Sequence, residues 1–111
     1  MERVFIVSAK RTAIGKFLGS LADVPVANLG VAVVKNIIEE TKINPAKIDE
    51  VIVGNILMAG QGQGISRQIS VNSNIPVEVP AYGINMICGS GLKSVMNAYN
   101  SIRAGEANMI I

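Results

Sequence analysis

The stretch that decides the architecture is Ala81-Tyr82-Gly83-Ile84-Asn85-Met86-Ile87-Cys88-Gly89-Ser90-Gly91-Leu92. Ala81 to Ile87 reads as a strand. Cys88 to Ala104 reads as a helix whose apolar stripe is Leu92, Val95, Met96, Tyr99 and Ile102, spaced by three and four. Gly105 stops that helix. A strand that runs straight into a helix through a glycine-rich turn is the unit from which α/β sheets are wound.

Other segments alternate in the same way. Upstream, Val4 to Ala9 is a short β-branched run that predicts a first strand, and Lys10 to Pro25 is a polar, glycine-containing loop. Val26 to Thr41 predicts the clearest helix, with Val26, Leu29, Gly30, Val33, Val34, Ile37 and Ile38 on one side. Asn44-Pro45 is an N-cap followed by proline at the first helical position, which predicts a short helical turn. Val51 to Leu57 predicts a strand, Met58 to Gly64 a glycine-glutamine loop, and Ile65 to Asn74 a short helix. Pro76 and Pro80 bracket an extended connector, and Asn108 to Ile111 starts a further strand. The order β, α, β, α, β, α, β implies a mainly parallel sheet with right-handed crossovers. The last residues, Met109-Ile110-Ile111, form an apolar run without cap or polar tail, so the 111 residues read as a piece of a longer protein.

Composition sets the bounds. Half the residues are hydrophobic and only 4% are aromatic, a Val, Ile, Ala, Leu and Met palette that suits a buried parallel sheet. Stacking surfaces for nucleic acid need aromatics. The net charge of +2 is scattered without a run of like sign, so no nucleic-acid or membrane footprint is expected. The single cysteine excludes an internal disulfide, and with no histidine no metal site is expected. The opening Met1-Glu2-Arg3 leads directly into Val4, which does not fit a signal peptide, and no stretch approaches the roughly 20 apolar residues of a membrane span. The expected location is cytoplasmic.

Cys88 is where chemistry can lie. It sits between a strand and a helix, and Gly89 and Gly91 let backbone and substrate approach closely. A helix N-terminus offers unpaired N–H groups and partial positive charge. Both favour thiolate over thiol, and the thiolate is the nucleophile. The same groups can hold a developing oxyanion, worth roughly 3 to 4 kcal/mol per donor. The alternative is a small buried hydrophobe, which free cysteines often are.

Other features weigh less. Ser90 fails the serine-elbow pattern, because Cys88 and Leu92 stand where glycines are required, so it caps the helix or bonds locally. Gly60, Gly62 and Gly64 lack the dinucleotide spacing and read as a tight connection or subunit contact. Arg67 is either an interface or ion-pair residue or a solvated one. Met58, Met86, Met96 and Met109 read as core filler.

The run Asn85-Met86-Ile87-Cys88-Gly89-Ser90-Gly91-Leu92-Lys93-Ser94-Val95 resembles the acyl-enzyme cysteine signature of thiolases. Ser8 to Phe17 is similar to that family's opening segment. Ile48 to Asn55, with Gly60-Gln61-Gly62-Gln63, is similar to its second strand and following loop. Gly64-Ile65-Ser66 and Tyr82-Gly83 depart from the common pattern without touching the cysteine.

The resemblance implies an α/β fold of the layered thiolase type, with residues 1–111 as the N-terminal part of the N-terminal domain. The C-terminal half of that domain and the second domain lie outside it. It also implies acyl transfer through a thioester on Cys88, whose backbone N–H serves an oxyanion hole. The overall reaction would be Claisen condensation of two acetyl-CoA or the reverse thiolysis. CoA thioesters are then substrates, no cofactor is implied, and the complete protein is a homo-oligomer, dimer or tetramer. The family's activating histidine, second cysteine and water-ordering asparagine belong to its C-terminal part. The chain has no His and only one Cys. The resemblance therefore implies that these residues alone do not turn over. Neighbouring readings are a β-ketoacyl synthase or hydroxymethylglutaryl-CoA synthase type of condensing enzyme, and a non-catalytic assembly subunit.

Overall fold

A computed structural model describes residues 3–111; Met1 and Glu2, read as the lead-in to the first strand, lie outside them. The elements are helix α1 (Val26–Thr41), a 3-10 turn (Pro45–Lys47), strand β1 (Val51–Gly54), helix α2 (Ile65–Asn72), strand β2 (Ala81–Ile84) and helix α3 (Ser90–Ala104). β1 and β2 pair in parallel, Val51 opposite Ala81 and Gly54 opposite Ile84, so α2 is the crossover between them. The α/β class with a parallel sheet is borne out.

Side chains alternate across the sheet. Val51, Val53 and Ala81 join Ile65 and Ile69 of α2, Ala27 and Val34 of α1, and Ile48, Ile75 and Val79 in one apolar core. Ile52 is buried but lies outside that cluster, and Gly54, two residues on, faces the start of α3. The sheet therefore carries α2 on one face and α3 on the other. α1 lies against α2 at Gly30, where any added Cβ would collide with the Ile69 side chain.

Helix α1 has the predicted bounds and its 3.6-residue stripe faces α2 and the core. The Asn44-Pro45 signal is also borne out: the Asn44 side chain accepts the Ala46 N–H at 3.0 Å. Gly105 ends α3 at φ 80, as expected of a glycine C-cap.

Several expectations are corrected. Val4 to Ala9 forms no strand: Phe5, Ile6 and Val7 are largely exposed, and no described backbone lies alongside to complete a ladder. The segment is instead tied to α1 by Ser8 Oγ and Lys10 Nζ, which donate to Glu40 at 3.0 and 2.9 Å. These bonds hold the Glu40 carboxyl below its ordinary value. The strand read as Val51 to Leu57 ends at Gly54, and that read as Ala81 to Ile87 ends at Ile84. Helix α2 stops at Asn72, and α3 starts at Ser90 rather than Cys88.

The Pro76–Pro80 connector is turned rather than extended, the Val79 N–H returning to Pro76 O at 3.0 Å. Among the described residues Arg67 makes no ion pair, and it is not simply solvated; it clamps this turn, donating to Val77 O and Val79 O at 2.7 and 3.1 Å. The final segment does run parallel to β1, but as one bridge, Glu50 to Ile110, rather than a ladder. Asp49 anchors it: one carboxylate oxygen accepts the N–H of Asn108 at 2.6 Å and of Met109 at 3.0 Å. Those two backbone donors lower the Asp49 pKa. The methionines are not core filler as a group. Met58, Met86 and Met96 are exposed, and only Met109 packs on the core. No helix among the described residues is long and apolar enough to cross a membrane.

Candidate active site

The link between β2 and α3 is an elbow, and its shape explains why both elements are shorter than their apolar patterns. After Ile84 the Asn85 side chain folds back, Oδ1 accepting the Ile87 N–H at 3.0 Å while Nδ2 donates to Ile56 O at 3.4 Å. An Asx turn of this kind competes with the strand ladder and ends it. Ile87 is then left-handed, at φ 50. For a β-branched residue this conformation is an outlier, costing on the order of 1–3 kcal/mol. Cys88 follows, Gly89 is the N-cap residue of α3 without a side-chain cap, and the helix begins at Ser90.

Cys88 therefore stands two residues ahead of the helix rather than on its first turn. Its thiol is free, and within these 111 residues Cys88 is exposed rather than packed as a small buried hydrophobe. It borders an open concavity of about 480 Å³ whose wall includes Gly54, Asn55, Ile56, Leu57 and Gly91. These residues come from the C-terminal end of β1, the loop that follows it and the first turn of α3. Crevices outside the carboxyl ends of parallel strands are where open α/β sheets place ligands.

Ser90, expected to cap the helix or bond locally, does the second. Its buried Oγ accepts the Met86 N–H at 2.9 Å and donates to Ile87 O at 2.6 Å. The glycine loop behaves as a tight connection. Gly60, Gly62 and Gly64 all have positive φ, and Gln68 Nε2 donates to the carbonyls of Gln61 and Gln63 at 2.8 and 3.1 Å. The predicted α3 stripe is a different matter. Leu92 is 70% exposed, and Val95, Met96 and Tyr99 are about half exposed, so the periodicity found the helix but not a buried face.

Reading residue by residue missed the site contributions of Gly54, Asn55 and Asn85. A Cβ on Gly54 would lie 2.5 Å from Ser90 C and 2.6 Å from Gly91 N, both backbone atoms, so only glycine lets α3 start this close to β1. A glycine inside a strand pattern is the signal that marks such close approach. The amide nitrogen of Asn55 is buried beside the concavity with no hydrogen-bond partner among the described residues. Nothing in its sequence context marks that.

Comparison with known proteins fits this geometry. The family description "Thiolase, N-terminal domain" matches residues 4–111. The chain is 48% identical over all 111 residues to a probable acetyl-CoA acyltransferase of Staphylococcus aureus, strain NCTC 8325 / PS 47. It is 49% identical over the same length to an acetyl-CoA acetyltransferase of Cupriavidus necator. In both cases it spans 28% of the relative's length. The Acat5 thiolase of Ascaris suum, solved in complex with coenzyme A, superposes with a TM-score of 0.85 at 37% identity, covering 87% of this chain and 25% of that one. A parallel β1–β2 unit leading through a cysteine elbow into α3, matched over nearly its whole length, places this chain in the thiolase family as part of its N-terminal domain.

Proposed function

We propose that this chain supplies the acyl-accepting cysteine of a thiolase-type acyltransferase. The observation that carries the reading is the exposed Cys88 thiol, held on a strained elbow after β2 beside an open concavity. In the proposed step the Cys88 thiolate attacks the thioester carbonyl carbon. A new S–C bond forms, charge gathers on the carbonyl oxygen, and collapse expels CoA thiolate, which takes a proton from solvent or a base. Backbone N–H groups at the elbow and the start of α3, that of Cys88 among them, stabilise the oxyanion. Splitting the transfer in this way is covalent catalysis, and it requires an adjacent base.

The relatives' names supply the substrate class, acyl and acetyl groups on CoA. In the complete protein the acyl group on Cys88 would be condensed with a second acetyl-CoA, or formed from a 3-ketoacyl-CoA in the reverse direction. CoA thioesters serve as substrates, no resident cofactor is needed, and the complete protein works as a homo-oligomer. The 111 residues hold no histidine and no second cysteine to act as base, so they accept an acyl group at most slowly and do not complete the cycle.

The test is incubation of this chain with acetyl-CoA, followed by intact and peptide mass measurement. The expected result is one acetyl group on Cys88, labile to hydroxylamine and missing from Cys88→Ala. Absence of any adduct at a thiol that iodoacetamide modifies readily would sink the acyl-acceptor reading. Cleavage of acetoacetyl-CoA by this chain at the rate of a full-length thiolase would sink the claim that it does not turn over.

A further inference from the structure

The residue before the candidate nucleophile poses a physical problem that the fold must solve. Ile87 is β-branched, left-handed at φ 50, and 62% exposed. Its side chain is not packed into the core, so packing does not hold it there. Left to itself it would relax to negative φ. The chain would then run on in the direction of β2 instead of reversing at Met86 to Cys88.

Hydrogen bonds supply the restraint, and they converge from both sides. Ser90 is 4% exposed, and its hydroxyl both accepts from Met86 N–H and donates to Ile87 O. It bonds back to the residues upstream of the cysteine and makes no helix cap. Asn85 takes the Ile87 N–H from the other side. The Ser90 backbone is itself fixed by its close approach to Gly54.

We infer that Ser90 is a positioning residue for Cys88: with Asn85 as its counterpart, its buried hydroxyl holds Ile87 left-handed and so presents the thiol at the open concavity. The inference rests on reading Cys88 as the acyl acceptor, but its test does not use CoA. Ser90 touches no reacting atom and acts through the backbone on either side of Cys88.

The experiment measures the rate of Cys88 alkylation by iodoacetamide in the 111-residue chain, referred to the urea-unfolded chain, with folding checked by circular dichroism. Ser90→Ala should slow alkylation of the folded chain roughly tenfold or more, the shift in the elbow equilibrium expected when the hydroxyl's two hydrogen bonds, from Met86 N–H and to Ile87 O, are lost. Adding Ile87→Asn should restore most of the rate, because asparagine occupies the left-handed region readily. A purely structural serine would lower the melting temperature without this rescue. If Ser90→Ala does not fold, Asn85→Ala, at an exposed position, gives the same reading with a smaller loss and the same rescue. A folded Ser90→Ala or Asn85→Ala with an unchanged rate overturns the inference, as does a slowed variant that Ile87→Asn does not restore. A wild-type thiol no more reactive than in the unfolded chain overturns instead the reading of Cys88 as a nucleophile.

Discussion

On one face of the β1–β2 sheet, Val51 and Val53 meet Ile65 and Ile69, with Ala27 and Val34 of α1 completing the cluster. On the other, where Ile52 is buried, Gly54 meets the start of α3, while Leu92, Val95, Met96 and Tyr99 of that helix stand in the open. The α2 side is closed by interdigitated aliphatic side chains, each fully buried one contributing about 1.5–3 kcal/mol. The α3 side is held by a close backbone-to-backbone approach and by polar bonds at the elbow. Stability resides chiefly in the first arrangement. The second places the free Cys88 thiol just past a strand end and tolerates strain to do so. A strained φ persists only where its surroundings over-determine it, and here the sealed side fixes β1 so that Gly54 can fix α3.

Substitutions can break this contrast. Ile69→Ala removes a 4% exposed side chain from between α1, α2 and the sheet, and should cost about 4 kcal/mol by urea denaturation. A loss under 1 kcal/mol would mean that the closed side is not what holds the fold. Gly54→Ala should cost about 3 kcal/mol, because the new methyl meets the backbone of Ser90 and Gly91, which cannot swing aside as a side chain could. It should also lower iodoacetamide reactivity at Cys88, whereas Ile69→Ala, at matched fraction folded, should not. Equal effects of the two on the thiol would erase the distinction.

Acid gives a smaller effect. The Asp49 carboxyl is lowered by the Asn108 and Met109 N–H groups, so its contribution is complete above its ordinary value of 3.8 and is lost as pH falls through the lower folded value. Protection of the Asn108 and Met109 amides, taken relative to their intrinsic exchange rate at each pH, should fall in that acid range and stay level between pH 5 and 7, and Asp49→Ala should show the low protection at every pH. Protection that ignores pH would remove Asp49 from the account. The smallest effect belongs to the open side: Leu92→Ser should change stability by less than about 0.5 kcal/mol, since a 70% exposed leucine has little burial to lose. A loss of several kcal/mol would show that the α3 stripe is covered in solution.

The two sides also differ in how far their residues disclosed them. The periodicity of Val26 to Thr41 defined α1 to the residue, because a stripe repeating at 3.6 has one geometric solution and that side of α1, with Val34 buried and Val26 and Ile38 half-buried, packs on the core. The same kind of stripe located α3 yet overstated its burial, since periodicity encodes a face and not what covers it. Val4 to Ala9 shows the limit for strands: β-branched composition favours extended backbone, but a strand exists only with a partner, which is a tertiary fact.

From the order of residues alone came the α/β alternation, the parallel pairing and Cys88 as the candidate nucleophile, because local propensity and spacing are properties of contiguous chain. Only the folded structure decided that Cys88 stands two residues ahead of α3, that Ile87 is left-handed, that Asn85 and Ser90 bind the elbow backbone, and that Gly54 and Asn55 border the same concavity as Cys88. Residues some 30 positions apart meet there through the packing of a helix start on a strand end, and no local pattern in the chain carries that distance.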